Sequence, residues 1–392
     1  MRTNMNAMNS IAACLAVSLS AAVGGVAAAD QDGAPLPSTL ATPSVYVVPL
    51  KGQMGTDIAQ QLMKLYVEDI KKVKPDIIVL DLFSADVNQN FYLPDDDQAE
   101  FGYAKLEEYR DMVKMFREEL RDIPQVMWVE DSVGYGSLLA LAWPNLYIRS
   151  DGRLMGLSRV MERAGSWDDP DVASKMLRAS IGVANGFLQQ GGYPLVLGEA
   201  MMIPDEKLSM KFEGRKVVWL PDTTGVWLVD GSEQGVANFS ATLAEESGLA
   251  DGMADELDDL MFLLGYREYK KLDNGEKIGA AYLEDWRKAL ERCREWLLDA
   301  EEVDGDATGL GKRKGLLEKV VAAMKQYPAV EFRMRMDGYP GRLRLELEID
   351  NLRKEIQRFK DAEKANRGAG GGSSGGGGGR GLGGGMGGRR GS

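Results

Sequence analysis

The 392-residue chain has no histidine. That absence removes the Ser-His and Cys-His nucleophile pairs, and every metal site that needs an imidazole, in one step. Proton transfer near neutral pH then falls to a Lys, Asp, Glu, Tyr or Cys whose pKa is displaced by its surroundings. Cysteine is nearly as scarce, with Cys14 and Cys293 the two in the chain. Cys14 lies in a segment read below as a leader, so Cys293 stands alone in the mature chain and no intramolecular disulfide is expected. Its flanks, ALERCREWL, have helical spacing, which predicts a packed or half-buried thiol and not a nucleophile. Positive charge is also short: 47 Lys and Arg against 60 Asp and Glu give a formal net charge of −13. Nucleic acid and anionic membrane surfaces both demand clustered cations, so no nucleic-acid partner is expected. Past the N-terminus no segment reaches the roughly 18 apolar residues of a membrane span, so the mature chain is expected to have none.

What is present begins with an export signal. Arg2 precedes an apolar, small-residue run from Ile11 to Val26, and Ala27-Ala28-Ala29 offers a cleavage site before Asp30. Residues 1–29 are therefore read as a signal peptide and the protein as exported, to a periplasm or the medium. Residues 30–44 are rich in Pro, Ser and Thr and read as a linker. The remainder, within a chain that is 44% hydrophobic and 27% charged, has ordinary globular composition and length for one large domain plus an accessory region.

Between residues 45 and 148 strand and helix patterns alternate. Val45–Leu50 (VYVVPL) is a short β-rich run, and Thr56–Val73 carries apolar residues at helical spacing. Asp76–Leu82 (DIIVLDL) is the near-continuous apolar run of a strand buried on both faces. Tyr103–Leu120 reads as an amphipathic helix, Gln125–Val129 as a strand, Gly136–Trp143 as the opening of a helix and Asn145–Ile148 as a strand. This alternation predicts a layered α/β domain on a mostly parallel sheet. Further on, Lys216–Leu220 and Val226–Val229 around Thr-Thr-Gly read as a hairpin, and a helix is expected from Asp255. Trp128, Trp219 and Trp227, each flanked by apolar residues, are expected to pack in sheets.

Beyond residue 265 the chain turns helical and charged. Tyr282–Ala300, Gly315–Gln326 and Leu343–Ala365 read as amphipathic helices, and Leu345, Ile349, Leu352, Ile356 and Phe359 form a heptad-like stripe. That stripe fits a hairpin or dimer seam and fits equally a helix packed on its own domain. From Gly368 the chain is almost all glycine with Arg380, Arg389 and Arg390, a composition expected to stay disordered. The domain reading is thus 45–265 for the α/β core, 266–367 for a partly coiled-coil-like helical region and 368–392 for the tail. The adjacent carboxylates Asp95, Asp96 and Asp97 cannot all face one ion and read as a solvated loop. No metal and no cofactor is expected.

Residues 126–156, VMWVEDSVGYGSLLALAWPNLYIRSDGRLMG, run from a strand through a glycine turn into a helix of small and aliphatic residues, then a strand and another glycine. This segment resembles the core of the ClpP/crotonase superfamily, and most of all its exported branch, the signal-peptide-peptidase and NfeD-type serine proteases. Val45–Gly52 is similar to that branch's first strand, Asp76–Leu82 to its second, and residues 241–252 (ATLAEESGLADG) to its closing segment. The resemblance implies a ClpP/crotonase-like spiral of β-α-β layers. It also implies a peptide or protein ligand and self-association, since such folds commonly assemble as homo-oligomers.

The resemblance places a nucleophilic serine where the turn enters the helix, with backbone N–H groups to hold an oxyanion. The family's Ser-x-Gly-Ala falls on Gly134-Tyr135-Gly136-Ser137, so the nucleophile position is Gly134. The family's Pro-Gly-Gly oxyanion loop falls on residues 83–87, FSADV, which lack those glycines. The branch's general-base lysine is matched by Lys175 in KMLRASIG (175–182), and a desolvated lysine activates a serine without histidine. Lys175 is equally readable as a solvated helix charge. Ser132 and Ser137 are the alternative nucleophiles, or residues with ordinary turn and helix-cap duties. The expected function is therefore a catalytically inactive peptide-binding or assembly factor. The alternatives are a Ser-Lys peptidase using Ser132 or Ser137 with Lys175, and, against the evidence of export, an acyl-CoA enzyme of the crotonase type.

Overall fold

The run IIVLDLFS forms β2 (Ile77–Ser84), the middle of a parallel sheet that is covered on both faces, as its lack of alternation requires. The computed structural model describes residues 42–84, 98–158, 169–214, 216–232 and 235–370, all within one unit spanning Gly33–Ser392. The leader, the Asp95–Asp97 triplet and the tail from residue 371 lie outside the described residues, as does most of the linker.

β2 pairs in parallel with β1 (Ser44–Lys51) on one side and β3 (Gln125–Val133) on the other. β3 is long enough to serve two partners. Its first half pairs with β4 (Leu146–Ile148), and its end pairs with β5 (Arg153–Met155). Across the main path the order is β10-β4-β3-β2-β1-β11, with β10 at Gly252–Met253 and β11 at Lys270–Leu272. The antiparallel member is β9 (Phe239–Ser240), which pairs with β5.

Alternate residues of the strands build two cores. On one face Val48, Leu80 and Met127 pack under α1 (Gln60–Val73), α2 (Gln98–Glu119) and α3 (Tyr135–Ala140). On the other, Val47, Val79 and Trp128 lie under α7 (Leu257–Leu263) and Tyr266, with Trp128 Nε1 donating to Ala254 O at 2.8 Å. Each fully buried aliphatic side chain contributes about 1.5–3 kcal/mol, so the two-sided cover is the main stabilising term.

After β5 come α4 (Pro170–Gln190) and α5 (Leu195–Met202). Asp169 caps α4, its Oδ1 accepting from the N–H groups of Asp171 and Val172, with Pro170 at the first helical position. A separate three-stranded antiparallel sheet follows, β6 (Leu208–Glu213) between β7 (Lys216–Leu220) and β8 (Trp227–Asp230). The hairpin expected between the last two is not formed; both pair with β6 instead. Trp227 is 43% exposed on the edge strand, so it is not packed in the sheet as expected, whereas Trp128 is buried.

The C-terminal helical region, α8 (Asn274–Glu301), α9 (Ala307–Gln326), α10 (Pro328–Met336) and α11 (Arg342–Gly370), shares one continuous apolar core with α1 and the sheet. α6 (Ala241–Glu246) completes the elements. α8 starts against β1 so closely that Gly275 leaves no room for a Cβ, which would sit 2.0 Å from Val47 O. In α11, Leu345, Ile349 and Leu352 are buried within this same chain, and Phe359 at the far end is 43% exposed. The stripe is an intramolecular packing face over its first half. Cys293 is fully buried on α8, and burial pushes its thiol up to about 11. Among the described residues no helix is long and apolar enough to cross a membrane.

Candidate functional site

The chain leaves β3 at Val133 and enters α3 at Tyr135 through a single residue, Gly134, whose backbone sits at φ 63°, ψ −121°. This is a left-handed, strained conformation that L side chains avoid and glycine adopts freely. The elbow is fixed on both sides: Gly134 N donates to Met155 O of β5 at 2.9 Å, and Gly134 O accepts from Leu138 N at 3.1 Å. Gly134 is buried, as is the whole stretch from Ser132 to Ala140.

Gly136, one turn position on, lies against the end of β2. A Cβ there would stand 2.9 Å from Ser84 Cβ and 3.2 Å from Ser84 O. Ser84 in turn donates through Oγ to Gly52 O at 2.9 Å, so the carboxyl ends of β1, β2 and β3 are tied together beside the elbow. Tyr135 is 5% exposed and meets Tyr109 of α2 edge-on, with ring centroids 5.3 Å apart. Burial raises the Tyr109 phenol well above its ordinary pKa, so it stays protonated.

Both candidate serines are sealed. Ser132 Oγ lies 3.1 Å from Arg153 O and 3.1 Å from Ser137 Oγ. Ser137 Oγ accepts from Met155 N at 3.0 Å and lies 3.1 Å from Met155 O. Each hydroxyl has 0% exposure, and together they stitch the β3–α3 elbow to the backbone of β5. Lys175 is exposed in the second turn of α4, and among the described residues no hydrogen bond or ion pair joins it to either serine. Of the 83–87 loop, Phe83 and Ser84 close β2, and 85–87 lie outside the described residues. The structure thus brings Ser132, Gly134, Tyr135, Gly136 and Ser137 together at one elbow.

A charged row on the opposite face of the sheet was not read from the sequence. Lys51 at the end of β1 bridges Asp81 of β2 (2.9 Å) and Glu130 of β3 (2.6 Å), and Arg149, just past β4, stands 3.7 Å from Glu130. Asp81 is 7% exposed and its Oδ1 is buried with no hydrogen-bond partner. Burial pushes its carboxyl up to about 6, against the pull of the Lys51 ammonium. The available signal was the lone carboxylate interrupting IIVLDLF. Among the described residues no three Asp, Glu or Cys side chains gather as a metal site would require.

No protein-family model and no curated protein sequence matches the chain. Solved structures do. One is the 1510-N membrane-bound stomatin-specific protease in a lysine-to-alanine form with a substrate peptide, 12% identical, covering 62% of this chain and 99% of that one with a TM-score of 0.36. The same protease, specific for a stomatin homologue from Pyrococcus horikoshii, matches at 13% identity over 57% of this chain and 79% of that one, TM-score 0.34. A peptidase from Plasmodium falciparum matches at 10% identity over 54% of this chain and 95% of that one, TM-score 0.31.

Proposed function

We propose that the chain is an exported relative of the ClpP-like serine proteases that binds a peptide or protein segment without cleaving it. The observation that carries this reading is the elbow itself. A strand-to-helix turn in a backbone conformation suited to presenting a nucleophile is kept, and its residue, Gly134, has no side chain. The flanking hydroxyls do not substitute. To attack a carbonyl, Ser132 or Ser137 would have to leave a fully buried position and give up hydrogen bonds of about 0.5–1.5 kcal/mol each. Export rests on the Arg2, Ile11–Val26 and Ala27–Ala29 pattern.

The test is labelling of the purified mature chain by a fluorophosphonate, paired with mass spectrometry of peptides retained on the immobilised protein. The expected result is no covalent label and recovery of intact peptides. Labelling that disappears in Ser132→Ala, Ser137→Ala or Lys175→Ala, with shortened peptides in the eluate, would establish a Ser-Lys peptidase in its place.

A further inference from the structure

Along one face of α8, Lys288, Arg292 and Trp296 follow each other at four-residue spacing, and Lys319 of α9 faces them with its Nζ 5.6 Å from the centre of the Trp296 ring. Elsewhere the two helices contribute large apolar side chains, such as Leu290 and Leu317, to the shared core. Here the facing residues are Ala289, Ala322 and Ala323, and their small size leaves a groove of about 330 Å³. Tyr327 closes one end. That end is held in place by α1, because Gln61 Nε2 donates to Gln326 O at 3.0 Å.

The charge of this groove opposes that of the protein. Three cations line it against one carboxylate, Asp285, in a chain of net charge −13. Lys288 is paired with Glu284. Arg292 and Lys319 line the groove with no carboxylate partner among the described residues. Uncompensated cations beside two aromatic side chains and an alanine floor suit an anionic head on a flat or apolar body. The volume is at the small end of the range for ligand sites, about 300–1,000 Å³, so the group is compact.

We propose that the groove between α8 and α9 binds a compact aromatic group carrying a carboxylate, supplied either as a free aromatic acid or as the carboxyl-terminal residue of a peptide. Its residues are separate from the elbow at Gly134, so this site and the proposed inertness of the elbow stand or fall independently.

Calorimetric titration of the full mature chain with phenylacetate, with acetyl-glycyl-glycyl-phenylalanine and with the amide of that peptide tests it. Binding of the two carboxylates is expected, with the amide weaker by about tenfold or more as the charge-assisted contact is lost. Whichever carboxylate binds more tightly identifies the source. Lys319→Glu and Arg292→Glu, both at exposed positions, should each weaken binding at least about tenfold, and Ala323→Leu should abolish it by filling the floor. Absence of binding by both carboxylates, equal binding of the amide, or unchanged affinity in Lys319→Glu and Arg292→Glu would overturn the proposal.

Discussion

Ser132 Oγ and Ser137 Oγ lie 3.1 Å apart, one on the last strand residues before the elbow and one in the helix after it, and neither is exposed. Ser137 accepts the Met155 N–H, so its loss leaves a buried donor of β5 unpaired. Ser137→Ala should therefore destabilise the fold by about 1–3 kcal/mol, the cost of an unsatisfied buried group. Ser132→Ala, which removes a donor from a carbonyl with a second lone pair, should cost less. Urea unfolding of the two variants checks the order; equal stability with wild type would show that these hydroxyls are not structural.

Gly134 tests the elbow from the backbone side. At φ 63°, ψ −121° any Cβ is strained, so Gly134→Ala should lose about 1–3 kcal/mol without a change in the denaturant slope. A variant as stable as wild type would mean that the turn relaxes out of this conformation.

The sheet was legible because burial on both faces leaves a mark in composition: IIVLDLF has no polar face to alternate with. The small antiparallel sheet was misread because its central strand, LSMKFE, is short and its inward residues, Leu208 and Met210, are followed by charged ones. The Thr-Thr-Gly segment does turn, with Thr224 N donating to Asp222 Oδ1 at 2.8 Å, but Gly225 is then bound to β6 through Ser209 Oγ at 2.9 Å. The chain is drawn to the other edge of β6, and no local signal encodes that. At the site, the order of strand, glycine turn and helix was readable from the residues, and its placement at Gly134 came from the resemblance. The burial of Ser132 and Ser137 was not, since it comes from β5, about twenty residues on. The Lys51–Asp81–Glu130 row left one trace in the sequence, the carboxylate inside IIVLDLF, because its members come from three separate strands.

The junction between α8 and β1 gives a further prediction. A Cβ at Gly275 would stand 2.0 Å from Val47 O and one at Gly279 would stand 2.6 Å from Tyr66 Oη. The first neighbour is backbone inside the sheet and cannot move; the second is the tip of a side chain. Gly275→Ala should therefore cost about 3 kcal/mol or more, at or beyond the upper range for overpacking, and Gly279→Ala distinctly less. Thermal unfolding of both variants, with protease sensitivity of α8 as a second readout, separates them. Equal and small losses would mean that the helix lifts from β1 without penalty.

Asp81 gives the pH dependence its sign. Its carboxyl is raised to about 6 in the folded protein by burial, above the ordinary value near 4, so the folded state holds this proton more tightly than the unfolded chain. Stability from Asp81 is therefore greatest below pH about 4 and is lost as pH rises through about 6, a change of roughly 2–3 kcal/mol for a shift of about two units. Asp81→Asn abolishes the titration. Its stability relative to wild type should climb between pH 4 and 6.5 and then level off, measured by urea denaturation at half-unit steps. A flat difference across that window would show that Asp81 titrates as an ordinary exposed carboxylate and that its buried oxygen has found a partner in solution.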